Sequence, residues 1–419
     1  MQEMKDSGIS WVGEIPKEWT IMPLYCFYSE RKNKNIFGAE NNLLSLSYGK
    51  VIRKDINTSE GLLPSNYNGY NIVEEGDIII RPTDLQNDKR SLRTGLSKER
   101  GIITSAYIAL KPKNGINSRF YHYLLHTYDI LKVFYNMGNG VRQGLNYDEF
   151  AKLMVYSPSD TEQQRIAEFL DRECGKIDGL KADIQAQIDT LEQYKRSVIT
   201  EAVTHGLNPS APMKDSGAGW MPLIPLHWKA DKLKFHLRQR GIKNQIDKQV
   251  LSLYREYGIV PKDSRDDNHN VTSEDVSDYR YVRVGDFVVN KMKAWQGSVA
   301  VSDYEGIVSP AYFVYEFSDD LINKRYFHYL MRNKTYATEF RRLSGGIREG
   351  QWDLPSEALN NTIILLPPLD EQQEIADYLD NKCAEIEQII ADKKSQIETL
   401  DGYKKSLIYE YVTGKRECV

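Results

Sequence analysis

The chain repeats itself, and the repeat limits what it can fold into more than any other feature. TEQQRIAEFLDRECGKIDGLKADIQAQIDTLEQYKRSVITEAVTHG at Thr161–Gly206 returns as DEQQEIADYLDNKCAEIEQIIADKKSQIETLDGYKKSLIYEYVTGK at Asp370–Lys415, ungapped and offset by 209 residues. In the first copy Ile166, Leu170, Cys174, Ile177, Leu180, Ile184, Ile188, Leu191, Tyr194 and Val198 follow one another at steps of three and four. That is the spacing of an apolar helix stripe or a coiled-coil seam. Thr161 with Gln164, and Asp370 with Gln373, have capping-box spacing just behind Pro158 and Pro367–Pro368. Gly206 and Gly414 stand where a C-terminal glycine stops a helix. The pattern predicts two helices of about 43 residues, each about 65 Å long at the α-helical rise.

The duplication reaches beyond these helices. MKDSGISWVGEIPKEW at Met4–Trp19 returns as MKDSGAGWMPLIPLHW at Met213–Trp228, again 209 residues on. LLSLSYGKV at Leu43–Val51 parallels VLSLYREYGIV at Val250–Val260, and EEGDIII at Glu74–Ile80 parallels RVGDFVV at Arg283–Val289, each a turn leading into an apolar strand. RFYHYLL at Arg119 matches RYFHYLM at Arg325, a short amphipathic helix, and GNGVRQG at Gly138–Gly144 matches SGGIREG at Ser344–Gly350. The copies diverge most at Leu85–Arg100 against Met292–Tyr304, and at Arg31–Asn42 against Arg240–Gln249. The expected fold class is therefore α+β. Two mixed, mostly β heads alternate with two long helices, and a pseudo-two-fold relates the halves. Neither apolar stripe can bury itself, so the helices are expected to pair antiparallel and hold the heads apart as a dumbbell.

Composition narrows the functional class. Hydrophobic residues at 41% and charged residues at 27% of a 419-residue chain are globular values with room for several cores. No apolar run reaches the roughly 20 residues of a membrane span, and MQEMKDSG carries no signal peptide. Four cysteines do not suggest a disulfide framework, and Cys174 and Cys383 fall at equivalent seam positions. The expectation is a reduced, cytoplasmic protein. His122 and His126 have the spacing of a metal pair but lack a neighbouring Glu, and the second copy offers His328 and Arg332 instead. There is no Walker A segment, and Gly138-Asn139-Gly140 lacks the preceding strand of a nucleotide fingerprint. No cofactor, metal or catalytic residue is expected.

A spacer between two divergent heads suits a two-part site on duplex DNA, whose strands run antiparallel. Net charge of −4 does not announce such a partner, so the case rests on local patches. Lys229–Lys248 is dense in cations, among them Arg238, Arg240 and Lys243, against only Asp231 and Asp247. Arg81–Arg100 holds Arg81, Lys89, Arg90 and Arg93. Lys291, Lys293, Trp295 and Gln296 put cation, ring and amide on one expected loop, and Arg142 and Arg348 occupy equivalent glycine-flanked loops. Phosphate contact needs cations, and base-edge reading needs Arg, Lys, Gln or Asn within reach of a groove. These thirteen positions are the expected DNA contacts. The competing readings are a solvated surface charge, an arginine tied into its own turn and, for Trp295, simple burial.

At this point the chain resembles the specificity subunit of a type I restriction–modification system. The resemblance is carried by the doubled EQQ-IA--LD opening (Glu162–Asp171, Glu371–Asp380), the Tyr-Lys-Arg/Lys-Ser…Val-Thr ending (Tyr194–Thr204, Tyr403–Thr413) and the DSG…W…IP..W preamble. It implies target recognition domains at 1–159 and 207–368, a first conserved spacer helix at 160–206, and a second with a tail at 369–419. It also implies double-stranded DNA, two methyltransferase subunits and, where the system restricts, restriction subunits as partners. The chain itself would catalyse nothing. Arg165, Glu168, Asp171 and Arg172 on the polar helix face are where methyltransferase subunits would dock. Two rival readings remain: an enzyme in its own right, and a coiled-coil spacer with protein-binding heads.

Overall fold

A computed structural model of the chain describes residues 3–57, 66–83, 92–137, 144–255, 257–264, 272–346 and 352–418. The two stripes form single continuous helices, Asp160–His205 and Leu369–Val412, of 46 and 44 residues. Gly206 and Gly414 stop them with φ of 78° and 68°, the left-handed turn that glycine adopts without strain. Their starts differ from the expected capping box. The Glu162 amide reaches the Ser159 hydroxyl instead. Gln164 and Gln373 turn away to accept from Asn117 and Asn323 at 2.7 Å each.

The chain forms two compact units. One comprises residues 1–184 and 394–419, the other residues 185–393. In the first unit the start of the Asp160–His205 helix packs against the end of Leu369–Val412. Ile166, Leu170, Cys174 and Ile177 share a core with Leu407, Ile408, Tyr411 and Val412. Lys404 bonds Asp178 at 2.7 Å and Lys181 bonds Asp401. One index rises as the other falls, so the strands of this helix pair are antiparallel. In the second unit Val198, Ala202 and Val203 share a core with Ile375, Ala376 and Leu379, and Lys195 pairs with Glu387 while Lys393 reaches Gln187. The same antiparallel sense results. Burial pushes the Cys174 thiol up to about 11 and raises Cys383 as well, which keeps both protonated as packing groups.

Each unit carries the same head. In the first, a four-stranded antiparallel sheet runs Tyr28–Glu30, Ile108–Pro112, Ile78–Ile80, Thr94–Leu96. In the second, the order is Leu237–Arg240, Tyr312–Phe317, Phe287–Asn290, Val299–Val301. The runs Ile78–Ile80 and Phe287–Asn290 are buried along their whole length, which is why they read as apolar without alternation. Around each sheet lie a hairpin (Leu44–Ser47 with Lys50–Arg53; Leu251–Tyr254 with Gly258–Pro261) and a strand pair (Asn71–Val73 with Gly101–Ile103; Arg280–Val282 with Gly306–Val308). The preamble is a hairpin in both copies, Met4–Asp6 with Glu14–Pro16 and Met213–Asp215 with Leu223–Pro225. It leads to the fully buried Trp19 and Trp228.

Candidate nucleic-acid interface

One polar clamp, present twice, locks each head to the helix beside it. Asn117 caps the helix Ser118–Ile130 through the amides of Arg119 and Phe120, and Asn323 caps Lys324–Arg332 in the same way. Arg119 and the Tyr123 hydroxyl both bond Asp171, at 2.9 and 2.8 Å. In the second unit Arg325 bonds Asp377 at 3.1 Å and also pairs with Asp380, which the Tyr329 hydroxyl reaches at 2.7 Å. Asp171, expected on a partner-docking face, is thus committed to its own unit. Long-helix acids fix each head through charge-assisted bonds, and these hold a surface in place more firmly than a neutral contact would.

On the second head the sequence Lys291–Gln296 leaves the strand Phe287–Asn290 and turns at once. Asn290 accepts from the Met292 amide at 3.1 Å, and its carbonyl accepts from Lys293 at 3.0 Å. Ala294–Gln296 makes one 3-10 turn, ended by Gly297 at φ 87°. The Trp295 indole N–H donates to the Met292 carbonyl at 3.0 Å. Its ring stands 5.7 Å from that of Trp352, and the Arg341 guanidinium lies 5.7 and 5.8 Å from the two ring centres. Lys293 and Gln296 are exposed, whereas Lys291 is held by Asp353 at 3.1 Å. Lys293, Trp295 and Gln296 border an open cleft of about 410 Å³ that Asn290, Lys262 and Tyr312 also line. Cation, amide and indole do come together here, as the spacing suggested. Arg341 and Trp352 were not among the expected residues. Each is separated in sequence from Trp295 and reaches it only through the fold, so no spacing marks them.

The other expected contacts divide. Arg238 is exposed on the edge strand Leu237–Arg240, and Lys243 is exposed with Asp278 at 2.8 Å, an ion pair weak enough for a phosphate to replace. Arg81 is half-buried at the end of the strand Ile78–Ile80, its amide bonded to the Arg93 carbonyl. Two positions turn inward instead. Arg93 is fully buried, donating to the Thr83 carbonyl, while its amide bonds Asp129. Arg240 is only 10% exposed and pairs with Asp286 and with Glu316 at 3.1 Å. Arg31 and Asp77 repeat that buried pair in the first head. Burial pushes both carboxyls up and the arginines pull them back, so removing either guanidinium would strand a buried acid. Arg240 and Arg93 therefore brace their heads, which charge counting along the sequence cannot distinguish from surface charge. Lys89, Arg90, Arg142 and Arg348 lie outside the described residues.

Among the described residues no cluster of three or more His, Cys, Asp or Glu could hold an ion. Burial drives His122 down to about 3 and His126 to about 4, so both are neutral at pH 7.

The sequence profile of the type I restriction modification DNA specificity domain matches this chain twice, at residues 28–190 and 242–399. The first match takes in its whole four-stranded sheet, the second all of its sheet but the edge strand Leu237–Arg240, and each runs on into most of the helix that follows. The chain belongs to the type I restriction–modification DNA specificity family. As a specificity subunit it is a DNA-recognition chain and not the catalyst. It is 26% identical to the MjaVIII type I restriction enzyme specificity subunit of Methanocaldococcus jannaschii, over 82% of this chain and 80% of that one. Its fold is similar to a chain solved in work on complex assembly and conformational transition of the type I R-M system. The TM-score is 0.66 at 12% identity, covering 96% of this chain and 99% of the other. No helix among the described residues is long and apolar enough to cross a membrane.

Proposed function

We propose that each unit of this specificity subunit reads one half of a split duplex DNA site. The paired long helices set the gap between half-sites and dock two methyltransferase subunits, with restriction subunits joining where the system cleaves. The observation that carries this reading is a repeated frame with unlike loops. Sheet order and head-to-helix clamp recur in both units, whereas the segments around Trp295 and its counterpart in the first head share little sequence. A recogniser of two different half-sites needs that combination, because position must be common and base contacts must differ. On the second head, Lys293, Gln296 and Trp295 with Arg341 and Trp352 supply the base-facing set, and Arg238 and Lys243 the phosphate contacts. Arg81, Lys89, Arg90 and Arg142 would serve the first head, and Arg348 the second. The domain limits that follow are recognition domains at 1–159 and 207–368 with spacer helices at 160–206 and 369–419.

Single-molecule methylome sequencing of a host expressing this chain with its methyltransferase subunits tests the proposal. A split adenine motif that appears only when this chain is present is the expected result. Methylation indifferent to this chain, or at a continuous motif, would refute it.

A further inference from the structure

The two heads share a second exposed feature, a hairpin tip seated against the divergent segments: a Cβ added at Gly49 would lie 3.2 Å from Leu92, and one at Gly258 3.5 Å from Ala300. In the first head Ser47 pairs with Lys50, so Tyr48 and Gly49 form the whole turn between strands Leu44–Ser47 and Lys50–Arg53. Both have positive φ, 46° and 77°. This is the geometry of a two-residue type I′ turn, where Asn-Gly is the favoured pair and a bulky aromatic at the first position is strained. The fold gives that ring no cover, since Tyr48 is 80% exposed. In the second head the hairpin pairs Tyr254 with Gly258, and Tyr257 stands immediately before this left-handed glycine (φ 72°) with 55% exposure. The turns differ in length and in neighbouring sequence, yet both keep an exposed Tyr-Gly at the tip.

The tips are also seated alike. A Cβ added at Gly49 would come within 3.3 Å of the His126 ring, and one at Gly258 within 3.4 Å of the Arg332 guanidinium, at equivalent positions of the helices Ser118–Ile130 and Lys324–Arg332. Each tip carries an exposed cation beside its tyrosine. Lys50 stands next to the first turn, with its nearest acid, Asp178, 3.7 Å away, and Arg255 stands in the second. A strained, uncovered aromatic that local preference would replace with Asn signals a demand from outside the fold. A phenol beside a cation matches a nucleic-acid groove, where the ring packs on bases or sugars and the cation meets phosphate.

We propose that the two hairpin tips are matched DNA contacts, one per half-site, with Tyr48 and Tyr257 packing their rings into the groove and Lys50 and Arg255 on the flanking phosphates. This rests on the split-site reading above.

The test replaces each tyrosine by Asn, the residue that the first turn prefers. Tyr48→Asn and Tyr257→Asn chains, assembled with the methyltransferase subunits, are melted and titrated with a duplex carrying the split motif assigned to the wild-type complex by methylome sequencing. Tyr48→Asn is expected to melt at or above the wild-type temperature while binding the duplex more weakly, by roughly tenfold or more for the loss of one aromatic contact. Tyr257→Asn is expected to show a similar loss of binding, and the double variant roughly the product of the two. Wild-type affinity in a stable Tyr48→Asn complex would overturn the proposal. So would a Tyr48→Asn chain that melts well below wild type, because the ring would then serve the fold. Failure of the DNA reading itself would show differently, as a wild-type complex that leaves no split motif.

Discussion

Gly306 and Gly101 sit where two backbones come too close for any side chain. A Cβ on Gly306 would collide with the Gln249 carbonyl and one on Gly101 with the Asn42 carbonyl, the same approach in both heads. Gly306→Ala should therefore lower unfolding free energy by about 1–3 kcal/mol, the range for overpacking, measured by chemical denaturation of the purified chain. An alanine variant as stable as wild type would show that this edge can open. The buried histidines set a pH dependence. His122, held down to about 3, and His126 and His328, each held down to about 4, have folded values below the ordinary 6.5. Between these limits the unfolded chain binds more protons, so their contribution to stability is full above pH 6.5 and is lost as pH falls toward 4. Asp129, pushed up to about 6 by burial, acts in the opposite sense over part of that window. Replacing His328 with Asn should flatten the stability loss between pH 7 and 5. An unchanged slope would show that the imidazole does not titrate as its burial dictates.

At the scale of elements, the fold depends on how each head is fastened to its helix. Asn323 caps the helix Lys324–Arg332 and also donates to Gln373. Asn323→Ala should cost about 1 kcal/mol through the cap alone and more through the lost link, measured as a shift in denaturation midpoint. Leu170, fully buried between the helices and the first head, should cost about 2–5 kcal/mol as alanine. The surface pair Lys404–Asp178 should cost under about 1 kcal/mol when broken. These elements differ in how well the sequence shows them. The helix stripe, its glycine stops and the strand-turn pattern of EEGDIII and RVGDFVV were all legible, because period and turn chemistry are local. The starts fell within a residue of Thr161 and Asp370, but the capping boxes were misread because Gln164 and Gln373 found partners on the heads, a tertiary event that overrides the local cap. Charge runs misled for the same reason. Arg240 lies among exposed cations in sequence, yet it pairs with Asp286, 46 residues away. Trp352 and Arg341 were invisible beside Trp295 because only folding joins them.

At the scale of the whole molecule, recognition is modular: one head per half-site, on a shared frame. The frame recurs down to the Arg–Asp brace and the Tyr–Asp clamp, so foreign loops can be received without rebuilding what holds the head. The most direct measurement is the methylation motif written by a complex whose specificity subunit carries a relative's sequence in place of Val51–Ala109. One half of the split motif should change while the other half and the gap stay as in the parent. A change in both halves, or in neither, would contradict modular recognition.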